Sequence, residues 1–380
     1  MKRLVLLGGG HAHVHVLQQL AALRVPGAEV VLVSPFPRQM YSGMVPGLVA
    51  GHYTVDDCVI ALRPLADAAG VRWIEGEAVA LDAARRQLVL ADGTTLDYDG
   101  LSLDVGSVMP RDLLPGAREH ALFVRPIEHF VALLPSLWAL AERQSLDLVV
   151  VGGGAAGVEL VLAIEHRLNG QAGGAHRFTL VTGGAPPLAG YPPRVMARAL
   201  AVLKRQRIAV LPQAAEAVAA DHVLLAGGAR VACQAPILAV GGTAPAWLAT
   251  SGLAVTATGH VRIGATLQSV SHPEVFAAGD VSARDDVAHP RSGVYAVRAG
   301  PPLAANLRAW VAGGALLPHR PPQRTLNLVS CGQREAIAAW GPLAAQGGWV
   351  WHWKDRIDRG FIARYRSPLG ADVGAVVPRP

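Results

Sequence analysis

Two stretches decide the fold: RLVLLGGGHAHVHVL at residues 3–17 and LDLVVVGGGAAGVEL at residues 146–160. Each is an apolar strand, then three glycines, then a run with helical spacing of apolar residues, and that strand, turn, helix context is what makes a Gly-rich loop informative. In the first copy Gly8 permits the tight turn and Gly10 lets the backbone approach a pyrophosphate. The helix opening at His11 and Ala12 offers N–H donors and the positive end of its dipole. In the second copy Gly152, Gly154 and Gly157 supply all three glycines. The first copy departs from the pattern twice: His13 replaces the third glycine, and Ser34, after the strand Glu29 to Val33, stands where an acid would bind an adenosine ribose. After the second copy, the strand Phe178 to Val181 ends in Thr182-Gly183-Gly184. That end has neither the acid that selects NAD nor an arginine placed for a 2′-phosphate. The repeat predicts an α/β fold with two Rossmann-like dinucleotide-binding domains.

Working outward, Val275-Phe276-Ala277-Ala278-Gly279-Asp280 reads as a short strand ending in a Gly-Asp turn, and Arg291-Ser292-Gly293-Val294-Tyr295-Ala296 opens a helix running towards Leu307. The chain has 380 residues, 51% hydrophobic and 16% charged, enough for two or three packed domains and too apolar for disorder. Lys plus Arg (34) exceeds Asp plus Glu (28), giving +6. Only Lys2, Lys204 and Lys354 are lysines, so the excess is scattered arginine rather than a nucleic-acid platform. Cys58, Cys233 and Cys331 are far apart without a CxxC pair, which argues against zinc sites, iron–sulfur clusters and a local redox disulfide and suits a reducing cytoplasm. The apolar run Leu4 to Leu7 is too short for a signal peptide, and no segment has the roughly 18 uncharged apolar residues of a spanning helix.

With these strings on view, the chain resembles the FAD-dependent pyridine nucleotide–disulfide oxidoreductase superfamily over essentially its whole length. GGGHAH, SPFPRQMYSGMVPGLVAGHY, LDYDGLSLDVGS, GGGAAGVE, VFAAGD and GVYAVRAGPPLAANL look like the flavoproteins found fused ahead of selenide, water dikinase. More distantly they look like type II NADH dehydrogenases and sulfide:quinone oxidoreductases. The resemblance implies a glutathione-reductase-like fold with an FAD domain over 1–112 and 244–314, an NAD(P)-type domain over 113–243, and a small C-terminal α+β cap over 315–380. It implies noncovalent FAD, with NAD(P)H as a candidate donor, a small-molecule substrate, and a functional link to selenide, water dikinase. The cofactor contacts expected are Gly8, Gly10, His11, Ala12, Ser34, Pro35, Arg38, Ser42, Val79, Gly106, Gly279, Asp280, Gly293, Val294 and Tyr295, with Gly152, Gly154 and Gly157 in the second motif. Asp104-Val105-Gly106 departs from the usual Ala-Thr-Gly of the connecting strand.

Disulfide reductases of the superfamily carry their cysteine pair after the second strand, where this chain has Arg38 to Pro46 and no thiol. Electrons are therefore expected to pass directly between flavin and substrate, with Tyr41 and Met44 as catalytic candidates beside Glu159; the plainer reading is that Met40, Tyr41 and Met44 fill a core. Glu159 either faces the flavin cleft, as the matching residue of the relatives does, or complements its helix dipole. His11, His13 and His15 do not share one helical face, which argues against a metal site. Cys58 and Cys331 could meet only through folding. Trp349, Trp351 and Trp353 alternate and so would share one face of an extended segment ahead of Lys354, Arg356, Arg359, Arg364 and Arg366. Residues Gly348 to Arg366, including a helix with Ile357, Phe361 and Ile362, are expected to close one side of the isoalloxazine cleft, and the tryptophans either to pack the cap or to anchor it at a membrane surface on the cytoplasmic side. The function expected is an FAD-dependent oxidoreductase passing electrons from NAD(P)H or another donor to a quinone or a selenium or sulfur species. The alternative is a flavin-binding redox sensor or partner protein with little turnover.

Overall fold

The computed structural model describes residues 1–169 and 176–366. The first Gly motif sits at the centre of a five-stranded parallel sheet ordered Val275–Ala277, Gly100–Leu103, Lys2–Leu7, Ala28–Ser34, Arg72–Glu75. A second parallel sheet is ordered Leu122–Phe123, Ala235–Leu238, Asp147–Val151, Arg177–Val181, Ala209–Leu211. In both, the central strands are apolar runs buried on both faces; in the second half Val149, Val151, Val181 and Leu238 pack against Val218, Val223 and Leu225 of a small antiparallel sheet rather than against helices. Helices His11–Ala22 and Gly293–Val311 pack together against the first sheet, and Ala155–Asn169 follows the second motif. Small antiparallel sheets, Ala78–Asp82 with Gln87–Leu90 and Thr95–Asp97, and Ala215–Val218 with His222–Leu225 and Arg230–Ala232, extend the two halves.

The two halves are built alike at their crossings. At Gly8 (φ +93°) an added Cβ would lie 2.5 Å from the carbonyl oxygen of Asp104, and at Gly152 (φ +130°) it would lie 2.3 Å from that of Ala239. No side chain fits at either point, so both glycines are dictated by contact with the next strand of the sheet as well as by backbone angle. The segments joining the halves pair with each other: Val108 and Thr243 exchange N–H···O bonds of 2.8 Å in both directions. Arg38 clamps Glu128 through Nε and Nη2, and Arg125 holds Asp280 at 3.0 Å.

His13 can replace the third glycine because its ring is wholly buried and satisfied. Nδ1 lies 2.7 Å from the Gly8 carbonyl, so it carries the proton and donates, and Nε2 accepts from the Ser102 hydroxyl at 2.8 Å. Burial lowers its pKa to about 4, keeping it neutral.

The C-terminal part is an antiparallel sheet, Leu326–Ser330, Ala336–Trp340 and Leu343–Gly347, covered by the helix Gly348–Arg366; the rest of the expected cap, 367–380, lies outside the described residues. The three tryptophans do not share one face. Because the helix starts at Gly348, a spacing of two turns side chains to opposite sides: Trp351 is buried (6% exposed), while Trp349 (59%) and Trp353 (38%) stack on the outside with centroids 6.5 Å apart. No described helix is long and apolar enough to cross a membrane.

Gly157 tests the crossing geometry, since a Cβ there would lie 1.9 Å from the Gly152 carbonyl oxygen, whereas at Gly154 nothing stands within 4 Å. Gly157→Ala should lower unfolding free energy by about 1–3 kcal/mol, and Gly154→Ala should leave it within about 0.5 kcal/mol, both read by chemical denaturation.

Candidate active site

The candidate site consists of the two glycine turns with their helix ends and a group of side chains that the segment 41–44, the C-terminal helix and Glu159 bring together. In the second glycine turn, the first-turn N–H groups of Ala155–Asn169 follow Gly154, around which nothing lies within 4 Å of an added Cβ, the geometry of a helix end open to an anion. In the first glycine turn, Gly10 is closed in differently: an added Cβ would lie 2.3 Å from Cγ of Asp104, and the Asp104 carboxylate accepts the Ala12 and His13 N–H groups at 2.8 Å each. Burial lifts this carboxyl to about 7 despite those two donors. A dinucleotide therefore meets a fitting glycine turn and helix end, already shared with an acid.

Of the other expected contacts, Asp280 turns off its strand beside this cradle, where Gly279 takes φ +69°. Its Oδ2 accepts from Arg125. Gly293 opens its helix beside Ser42, whose hydroxyl would lie 3.3 Å from a Cβ there, while Tyr295 stacks on His289 and Val294 follows Gly293 on the same helix. Ser34 is buried and spends its hydroxyl on the Phe36 carbonyl at 3.0 Å; Pro35 follows it. Arg38 is held by Glu128 rather than pointing free. Gly106 takes φ +70° with open space around it. Val79 stands 45% exposed on the small sheet Ala78–Asp82. The cysteines do not meet: all three are free and buried, and burial pushes the thiols of Cys58 and Cys331 up to about 12.

The cleft is assembled from remote pieces of chain. Tyr41 stacks on Phe361 of the C-terminal helix at 4.4 Å, and the His11 ring lies 5.5 Å from Tyr41 and 6.0 Å from Phe361. Met44 is fully buried behind them. Glu159 does not face its own helix end; its Oε1 accepts the Ser330 N–H of the cap sheet at 2.7 Å. Burial raises its carboxyl to about 7, against the opposing pull of Lys354 and the Ser330 N–H. Lys354 and Asp358, 8% and 4% exposed, form an ion pair of 2.5 Å one helical turn apart, and Lys354 also donates to the Gly43 carbonyl at 2.6 Å. Asp358 faces the Tyr41 hydroxyl, and Tyr53 donates to Asp355 at 2.7 Å. Asp358 and Ser330 escaped the sequence reading, in which Phe361 was apolar area of the segment expected to close the cleft and Lys354 belonged to the basic run beside it. The only signal of the ion pair was the i, i+4 spacing of Lys354 and Asp358.

The fold and the two cradles define a two-dinucleotide flavoprotein oxidoreductase. The pyridine nucleotide-disulphide oxidoreductase family matches residues 2–304, and the chain belongs to that family. It is an FAD-dependent NAD(P)H oxidoreductase, with FAD held noncovalently. It is similar to a demethylphylloquinone reductase from Synechocystis (27% identical, covering 84% of this chain and 82% of that one). A second relative is an NADH dehydrogenase-like protein from Mycobacterium tuberculosis (27% identical, 74% and 73% covered). Among solved structures, the sulfide:quinone oxidoreductase of Aquifex aeolicus superposes with a TM-score of 0.82 at 18% identity, covering 97% and 92% of the two chains.

The buried pair yields a pH-dependent prediction. Lys354→Met should cost about 3–5 kcal/mol at neutral pH because Asp358 is left buried without its cation. Burial already holds the Asp358 carboxyl above its usual 3.8, and losing Lys354 raises it further. The folded state then binds the proton more tightly than the unfolded state, so the loss should shrink as pH falls from 8 to 5. Chemical denaturation of parent and variant at both pH values measures it.

Proposed function

We propose that this chain transfers two electrons from NAD(P)H to a quinone. The observation that carries the reading is the cluster itself: a stacked Tyr41–Phe361 pair and a carboxyl, Glu159, lifted to about 7, linked through the Lys354–Asp358 pair that acts on both Tyr41 and Glu159, with no thiol in the segment 38–46. Two electrons from NAD(P)H, leaving as a hydride, and one proton from the medium convert a quinone to its hydroquinone. Bound FAD would supply the acceptance of the hydride and its onward transfer.

The chain's own residues would do the rest. Gly8, Gly10, Ala12, Gly279 and Asp280 would hold the pyrophosphate and ribityl chain, and the N-terminus of Gly293–Val311 would face the flavin's pyrimidine edge. Gly152 and Gly154 would seat the nicotinamide dinucleotide. Tyr41 and Phe361 form an apolar surface suited to a planar acceptor, with Met44 buried in the core. Glu159, tied to Ser330 and near Lys354, is poised to deliver a proton at neutral pH. The Synechocystis relative is named for a quinone substrate, which supports the same choice. A sulfur or selenium acceptor has less support, since Cys58 and Cys331 are buried apart with their thiols well above the reactive range.

The exposed edge of the cap supports peripheral contact with an anionic membrane, where a quinone would be found. Trp349, Trp353 and Ile357 line one side of the last helix, with Arg356 and Arg364 on the same element.

Anaerobic titration of the purified protein with NADH and NADPH, followed by a short-chain quinone, should show the flavin spectrum bleach and then recover. No bleaching with either nucleotide, or no recovery with quinone, overturns the reading. Glu159→Gln should slow turnover by about 10²-fold and abolish a fall in rate as pH rises through about 7. Anionic vesicles should cosediment the parent in a salt-sensitive manner, and the double variant Trp349→Ala/Trp353→Ala should lose this without loss of melting temperature.

A further inference from the structure

The two halves of the molecule act as each other's control. Asp104 and Ala239 occupy the same place: each follows the strand paired with the motif's own strand, and each presents its carbonyl to the first motif glycine, Gly8 or Gly152. What they project towards the helix end differs. Ala239 leaves its methyl 3.5 Å from the position of a Cβ on Gly157, and Gly154 stays open. Asp104 instead places a carboxylate on the Ala12 and His13 N–H groups at 2.8 Å each, with Oδ1 2.9 Å from a Cβ on Gly279. These are N–H groups and a glycine to which the FAD pyrophosphate is assigned. A helix end carries roughly half a positive charge, enough to favour one anion over it and too little for a carboxylate together with a pyrophosphate.

We propose that Asp104 is a proton-binding residue of the FAD site: FAD enters with uptake of one proton onto the Asp104 carboxylate, so the cofactor is held while this group is neutral and loosened when it ionises. The step balances as one proton taken from solvent per FAD bound. It rests on the FAD assignment above, and failure of that assignment, no FAD binding at any pH, is distinguishable from failure of this coupling.

The surroundings isolate Asp104 as the titrating group. On the Gly turn's helix, the His13 ring is turned to Gly8 and Ser102 while its N–H meets Asp104, the His11 ring lies against Tyr41, and burial holds both rings near 4, so they stay neutral above pH 6. From the turn after Val275–Ala277 comes Asp280, which is paired with Arg125 of the joining segment. Its own strand contributes Ser102, bound to His13. Without ligand, burial already brings the Asp104 carboxyl to about 7, and the negative charge of Asp280 adds to this. A pyrophosphate would raise it further. The sign follows: below about pH 7 the carboxyl is protonated in both states and affinity is flat, whereas above it FAD must recruit a proton, and Kd should rise about tenfold per pH unit.

The test uses the full chain stripped of flavin and titrated with FAD by fluorescence quenching from pH 6 to 9. Calorimetry in two buffers of different ionisation enthalpy, at pH 8, counts protons. The parent should show a Kd rising about tenfold per unit above pH 7 and uptake of close to one proton. Asp104→Ala, which copies Ala239, and Asp104→Asn, which keeps an acceptor for the two N–H groups and guards against misfolding, should both give a flat profile, proton uptake near zero and tighter binding than the parent at pH 9. A flat parent profile, a parent slope retained in the variants, or loss of FAD binding in folded variants would overturn the proposal.

Discussion

The rest of the structure depends on the contact between a glycine turn and the carbonyl of the neighbouring parallel strand, made once at Gly8 with Asp104 and again at Gly152 with Ala239. Because a Cβ would sit inside van der Waals contact at both points, the chain must turn tightly there. That turn points the following helix's first N–H groups at the strand ends. Each contact fixes where a glycine turn and helix end sit, the places proposed for a dinucleotide's phosphates, and the pairing of Val108 with Thr243 fixes one half against the other.

Once the cradles are set, the C-terminal helix decides what the cleft can do. It brings Phe361 onto Tyr41 and buries the Lys354–Asp358 pair against Gly43 and the Tyr41 hydroxyl. A buried ion pair contributes little net stability by itself, but losing one partner is costly, so the pair locks the register of helix against loop. The cap sheet adds the Ser330 N–H to Glu159, holding that carboxyl in a dry setting that lifts it to about 7. The site is thus a joint product of two dinucleotide folds and a lid, and none of the three contains it alone.

The substitutions within the first motif show how departures from a pattern are absorbed. His13 survives at a glycine position because Gly8 and Ser102 satisfy both ring nitrogens. In the half where this site holds a glycine, the facing residue is an alanine; in the half where it holds a histidine, the facing residue is Asp104. Nothing in the linear order of residues 8–13 announces that arrangement, since its partners lie on a strand some ninety residues downstream.

The sequence by itself determined both strand, turn, helix units, the Gly-Asp turn at Gly279-Asp280 and the absence of a redox pair in residues 38–46, because glycine angles, apolar periodicity and residue identity are local properties. It misread the tryptophans, whose relation depends on whether the chain from Gly348 is extended or helical, a choice made by packing on the cap hairpin. It could name Glu159 and Tyr41 but not their partners. Only the tertiary structure decided that Glu159 meets Ser330, that Phe361 covers Tyr41, that Cys58 and Cys331 stay apart and that Asp104 occupies the first helix end. These contacts join residues tens to hundreds of positions apart, and their energies depend on burial and on which charges share a dry space, neither of which exists until the chain has folded.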